Sequence, residues 1–278
     1  MTASPVPSEI TVDGQTVAVS ASTRFTATSV DEIVALVLAD LPGDTVLSDL
    51  SAARGQGLWV PERPQRVEVC VLGRSAAPRE RPHSRRQQVR FRRRNLDPAD
   101  IVVVGNVPMT SPARTWIDLA EQLDARDLVA AGDSVLRSGA SLAELEEQVR
   151  RARGRRGVLR ARQAIPHLDA RSRSRPESCL RYELVSAGLP KPEVNVAVFV
   201  GGEWIGEPDL SYREQRMAIE YQGEEHAKVR RMRKDITRKL DFGDVDWLVI
   251  EAGPADVFRF PERIVHRVRF ELDRRPPR

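Results

Sequence analysis

An α/β architecture in two domains is what this sequence predicts, and three observations carry the prediction. The chain has 278 residues, enough for two hydrophobic cores at about 100–200 residues per domain. Short runs of alternating apolar and polar residues are interleaved with longer stretches of helical apolar spacing in both halves. Residues 166–175 are polar, basic and without apolar period, and the order of elements changes across them. The expected division is a tail or edge hairpin over 1–23, an α+β domain over 24–165, a basic linker over 166–175 and a second domain over 176–278.

The elements follow in order. Ile10 to Val19 alternates around Asp13-Gly14, a hairpin signal that fits an edge hairpin or a mobile end. Ile33, Val34, Leu36, Val37 and Leu41 have helical spacing and stop at Pro42-Gly43, which predicts a helix over 30–41. A second helix is expected over Ser48–Arg54, and strands over Arg66–Leu72, Val89–Arg93 and Ile101–Val104. Ser111 and Pro112 open a helix with Trp116, Leu119, Ala120 and Leu123 as its buried stripe. Leu128–Leu136 follows, then a helix begun by the Ser141/Glu144 capping box, then a short one over Val158–Ala164.

Beyond residue 175 the reading is a helix over Pro176–Ala187 stopped by Gly188, then Val194–Val200, a Gly201-Gly202 turn, and Trp204–Tyr212 returning. Arg213-Glu214 turns the chain into Met217–Gln222. A long helix over Glu224–Leu240, a strand over Val245–Glu251 and a helix over Pro261–Leu272 complete it. The order is helix, three-stranded meander, helix, strand, helix.

Apolar residues make up 41% and charged residues 30%, which excludes a wholly disordered chain. No apolar run is long enough to span a membrane and no secretory leader pattern is read, so the expected setting is cytoplasmic with no membrane partner. Cys70 and Cys179 stand far apart, without neighbours at zinc-ligand spacing. The net charge is +4, and arginine is concentrated over Arg79–Arg94 and Arg150–Arg175, as a polyanion-binding surface or a solvated face would have it.

Chemistry points to Asp209 and Glu220. Side chains alternate along a strand, so Ala218, Glu220 and Gln222 share one face. A turn at 213–214 sets Asp209 opposite Ala218 and one diagonal step from Glu220 on that face. Two carboxylates there suit Mg²⁺, which takes hard oxygen ligands, and the Tyr221 carbonyl is a third candidate ligand. A turn aspartate beside a solvent-facing strand glutamate is the alternative. On the following helix, Arg231, Lys234 and Arg238 lie opposite the apolar stripe, where they track a phosphate backbone or simply meet solvent.

The motifs Glu177-Ser178 with Arg181, Ala187-Gly188-Leu189-Pro190, Pro208-Asp209-Leu210 and Glu220-Tyr221-Gln222-Gly223 with His226 resemble the Vsr-like (very-short-patch-repair type) endonuclease domain of the PD-(D/E)XK superfamily, over roughly Arg175–Leu272. The resemblance implies a restriction-endonuclease-like core, Asp209 and Glu220 as metal ligands, and Glu177 supporting the ion or a bound water. Gln222 takes the place usually held by Lys or, in this subgroup, often by Asp; it can orient water but cannot take a proton. His226 is the candidate general base or phosphate donor. Ser48–Ala53 and Val107–Thr115 resemble the AbiEi-type antitoxin-like region found ahead of such domains.

The expected function is metal-dependent phosphodiester hydrolysis of DNA, with Mg²⁺ or Mn²⁺ as cofactor and the N-terminal domain free to bind a protein partner. The alternative is a non-catalytic nucleic-acid-binding or antitoxin-like regulator that retains the nuclease fold. A third reading is a toxin–antitoxin partner whose N-terminal half binds protein.

Overall fold

In the computed structural model, which describes residues 9–12, 15–18, 45–61, 67–71, 89–104, 107–223, 242–243 and 245–276, the chain divides into two compact units, 1–166 and 167–278. The helices expected over 30–41 and 224–240, with His226, Arg231, Lys234 and Arg238, lie outside the described residues, as do Arg79, Arg81, Arg85 and Arg86 of the first arginine cluster.

In the first unit, β1 (Glu9–Val12) and β2 (Gln15–Ala18) pair as the hairpin that Asp13-Gly14 predicts, Val12 opposite Gln15. Strands β3 (Thr45–Leu47), β4 (Val67–Val71), β5 (Val89–Arg93), β6 (Ile101–Val104) and β7 (Val107–Thr110) form one mixed sheet in the order β5-β4-β3-β7-β6. Because side chains alternate, the sheet feeds two separate apolar clusters. Leu47, Val67, Val69 and Met109 pack with Ala52 of helix α1 (Asp49–Gly55), while Val46, Cys70 and Ile101 pack with Leu96. Burial pushes the Cys70 thiol up to about 11, which leaves it protonated and unreactive at neutral pH.

Helices α2 (Pro112–Leu119) and α4 (Leu142–Arg151) begin as the sequence predicts, with Ser111 and Ser141 accepting from the backbone three residues on and Glu144 completing the capping box. Helix α3 (Ala125–Arg137), between them, starts three residues before the expected Leu128 and is capped by Asp124. Helix α5 (Val158–Ala164) begins after Gly157. Gly157 has φ +83°, and a Cβ there would sit 2.3 Å from the Ala120 carbonyl oxygen. Gly157→Ala is expected to destabilise by more than the about 1–2 kcal/mol that the left-handed backbone alone costs. An unchanged thermal melt would contradict this packing of the turn on α2.

Helix α2 is buried on every side from Ala113 to Leu119. Trp116 enters the apolar side and donates to the Leu128 carbonyl at 2.9 Å. The other side holds a buried ion network. Asp118 accepts from Arg114 at 3.1 Å and Arg94 at 3.0 Å and also meets Arg155. Asp100 accepts from Arg114 at 2.9 Å and Arg151 at 2.8 Å. Asp49, fully buried, pairs with Arg94 at 3.0 Å and Arg92 at 3.4 Å. Much of the arginine density read as a polyanion surface is thus matched inside the fold.

The second unit has α6 (Arg175–Ser186), strands β8 (Glu193–Val194), β9 (Val198–Val200), β10 (Glu203–Gly206), β11 (Leu210–Tyr212), β12 (Met217–Tyr221) and β13 (Leu248–Ala252), and helices α7 (Pro254–Phe258) and α8 (Pro261–Arg274). The sheet order is β13-β12-β11-β8, with β11 antiparallel to both neighbours and β12 parallel to β13. The expected meander needs correcting. Val194–Val200 breaks at Asn195, which has φ 48°, and Trp204–Tyr212 breaks at Glu207-Pro208. Consequently β9 and β10 form a separate ribbon over a core of Val198, Ile205, Ala218, Phe242 and Trp247. Within 166–175, Leu168, Asp169 and Ser172 are buried. Among the described residues no helix is long and apolar enough to cross a membrane.

Candidate functional site

Glu177 sits in the first turn of α6, where Ser174 caps the helix. One carboxylate oxygen accepts from the Ser174 hydroxyl at 2.8 Å; the other accepts from the Arg173 amide at 2.8 Å and the Asn195 side-chain amide at 2.9 Å. Asn195, through its own backbone N–H, donates to the Asp209 carbonyl at 3.1 Å. Glu177 therefore joins the start of α6 to the strand end that carries Asp209, acting through Asn195. Among the described residues no three His, Cys, Asp or Glu side chains gather as a metal-holding group, so the expected cradle of Glu177, Asp209 and Glu220 is not formed as a triad. The physical reason at Glu177 is its engagement in the helix cap.

The register around Asp209 differs from expectation. Leu210 faces Ile219, Ser211 faces Ala218 and Tyr212 faces Met217, because the turn spans residues 213–216 and not the tighter 213–214. Asp209 itself lies just before β11, so it has no partner in this register; Ala218, its expected partner, faces Ser211. A register shift by an even number of residues leaves the expectation of a shared face as it was. Asp209 Oδ2 accepts from the Tyr221 backbone N–H at 2.8 Å, so the described link between Asp209 and Tyr221 runs through the amide and not through the carbonyl proposed as a ligand.

Glu220 is half-buried and lies in register with Glu251 on the parallel strand β13. Gln222 Nε2 donates to Glu251 Oε1 at 3.3 Å, and its backbone N–H donates to the Ala252 carbonyl at 2.9 Å. Glu220 and Glu251 thus stand side by side on neighbouring strands, with Gln222 bonded to Glu251 and Asp209 at the approach to β11. Glu251 escaped the sequence reading because it stands in an otherwise apolar strand; its only signal is a lone acid paired in register with Glu220. Hard carboxylate oxygens from Asp209 and Glu220 match the chemistry of a Mg²⁺ donor set, to which a protein commonly gives one or two carboxylates.

The second arginine cluster is largely engaged within the chain. Arg160 donates to the carbonyls of Ala120 and Leu123 at 2.8 and 2.7 Å, Arg171 grips Asp169 at 2.8 Å, Arg173 pairs with Glu207, and Arg175 lies 4.8 Å over the Phe258 ring. Arg153, Arg156 and Arg162 remain exposed. On the reading of this cluster as a polyanion-binding surface, replacing these three with Gln is expected to flatten the salt dependence of DNA affinity by about 0.9 in logarithmic slope for each phosphate that is no longer neutralised. An unchanged slope in a salt titration by fluorescence anisotropy would remove them from the interface.

Residues 44–167 match the AbiEi antitoxin C-terminal domain family. The chain is also similar to two proteins of Mycobacterium tuberculosis, uncharacterized protein MT2308 (strain CDC 1551 / Oshkosh) and uncharacterized protein Rv2248 (strain ATCC 25618 / H37Rv). Each is 34% identical over 167 residues, which cover 59% of this chain and 62% of the relative. The chain thus spans about three fifths of the length of these relatives. No solved structure matches.

Proposed function

We propose that the protein is a nucleic-acid-binding regulator of the antitoxin kind, with DNA as partner, in which the second unit carries a nuclease-like architecture without its chemistry. The observation that carries this reading is the match of residues 44–167, nearly all the described part of the first unit, to an antitoxin domain family. Two features of the second unit agree with it. Gln222, bonded to Glu251, cannot exchange a proton, and Glu177 is occupied with capping α6. The setting that goes with this partner is cytoplasmic, and a protein partner would be met by the first unit.

One observation favours metal-dependent phosphodiester hydrolysis as a second reading: Asp209, just before β11, accepts from the Tyr221 N–H beside Glu220, and Glu220 is in register with Glu251 on the next strand. In that case Asp209 and Glu220 would hold Mg²⁺ or Mn²⁺, and a bound ion of this kind supplies a Lewis acid for the phosphate oxygens. Gln222 would position a water through its amide, and the restriction-endonuclease-like core and His226 would belong to the same proposal.

A single experiment separates the two. Duplex and single-stranded DNA are incubated with the full chain and with Glu220→Ala, in EDTA and in Mn²⁺, and both binding and cleavage are followed. The regulator reading expects salt-dependent binding that is indifferent to Mn²⁺ and to the substitution, with no strand scission. Scission that needs Mn²⁺ and vanishes in Glu220→Ala would overturn it in favour of the hydrolase.

A further inference from the structure

The first unit contains a cavity of about 550 Å³ between the loop after β5, α2 and the end of α4. That volume suits a molecule of nucleotide size. Four guanidinium groups reach its wall, from Arg94, Arg114, Arg151 and Arg155, against two carboxylates, from Asp97 and Glu121. The remaining acids of the network, Asp49, Asp100 and Asp118, have fully buried side chains behind the wall.

The donors outnumber the acceptors that meet them. A guanidinium has five N–H groups. Among the described residues, Arg114 donates through Nε to Asp118 and through Nη1 to Asp100 and the Asn95 carbonyl, and Nη2 has no acceptor. Arg155 meets Asp118 and Glu121 through Nη2 alone. Arg151 and Arg155 are about one third exposed at the mouth, whereas Arg94 and Arg114 are only 6% and 4% exposed. Their guanidinium groups are held from behind by the buried acids, so an entering anion meets donors already in place. Asp97, 68% exposed, pairs with Arg151 at the rim and would compete with such an anion.

We propose that this cavity binds a phosphate group carried by a molecule of nucleotide size. Phosphate offers several oxygens that accept from more than one guanidinium fork at once, and the part-exposed forks of Arg151 and Arg155 beside Arg94 and Arg114 on one wall suit such an acceptor. A single carboxylate offers fewer oxygens, and a metal cation would meet donors of the wrong sign. The phosphate can come from a free nucleotide or from the 5′ end of a nucleic acid chain. The proposal does not depend on the regulatory reading, because small phosphates test it without DNA.

Isothermal titration of the full chain at low salt with pyrophosphate, with adenosine diphosphate, and with sulfate as control tests it. One saturable site per chain is expected for the two phosphates. Arg155→Gln is expected to weaken that site by about tenfold or more, through loss of charge-assisted hydrogen bonds. Asp97→Asn is expected to tighten it several-fold by removing the competing carboxylate, and because this residue is exposed, the variant stays informative should Arg155→Gln fold poorly. Short single strands with and without a 5′-phosphate identify the source: preference for the phosphorylated strand over adenosine diphosphate assigns the site to chain ends, and the reverse assigns it to free nucleotides. Absence of saturable binding at millimolar pyrophosphate, or binding that ignores both substitutions, overturns the proposal.

Discussion

Asp118→Ala is expected to destabilise the first unit by about 3–5 kcal/mol, the range found when one partner of a buried ion pair is removed. Asp118 has a fully buried side chain and compensates Arg94, Arg114 and Arg155, of which the first two are themselves almost entirely enclosed. Its loss leaves those cations in a low-dielectric setting with fewer partners. For a unit of this size about 2–4 °C of melting temperature accompany each kcal/mol, so the transition drops by about 6–20 °C. Removing Arg155 as well is expected to restore part of the loss, which a double-mutant cycle in urea measures. A change below about 1 kcal/mol would mean that the network stands in wet surroundings and is worth no more than a surface pair.

Acid probes the same network. Burial works against the charge of Asp100, but hydrogen bonds from Arg151, Gln148 and the Asp97 amide outweigh it and hold its carboxyl below the usual aspartate value of 3.8. Its contribution is present above that unfolded-state value and is lost as the pH falls through the lower folded-state one.

Trp116→Ala is the other large effect, expected to cost about 3–5 kcal/mol through lost burial and the cavity left behind. The indole is fully buried and its N–H reaches the Leu128 carbonyl at 2.9 Å, tying α2 to α3. Trp116→Phe keeps most of the apolar packing and gives up the hydrogen bond, so its smaller loss, about 1–2 kcal/mol, isolates the polar share. Equal losses in the two variants, read from urea midpoints, would show that the hydrogen bond and not the packing joins the helices.

The caps of α2 and α4 were legible in the sequence because capping is local: Ser111 with Pro112, and Ser141 with Glu144, act within one turn. The antiparallel pairing of β11 with β12 was legible for a similar reason, although its register is two residues away from the one that a turn at 213–214 gives. The split of the meander was not, because alternation continues unchanged through Asn195 and Pro208 while the backbone turns away. Nor was the enclosed polar side of α2. Arg114 and Asp118 stand four residues apart, the spacing of an ordinary solvent-exposed helix pair, and only the distant Asp100, Arg94 and Arg155 enclose them. The acid at 251 acquires meaning only beside Glu220, through a parallel pairing that no local pattern announces.

Both native thiols lie in the interior, Cys70 in the first unit and Cys179 in the second, and Cys70 is further quieted by its high pKa. Maleimide dyes should therefore ignore the wild-type chain and react with a single cysteine introduced at an exposed position such as Arg153 or Glu203. Each unit can then carry its own fluorophore with both natural sulfurs left in place, so that the distance between halves is read by energy transfer as nucleic acid or phosphate is added.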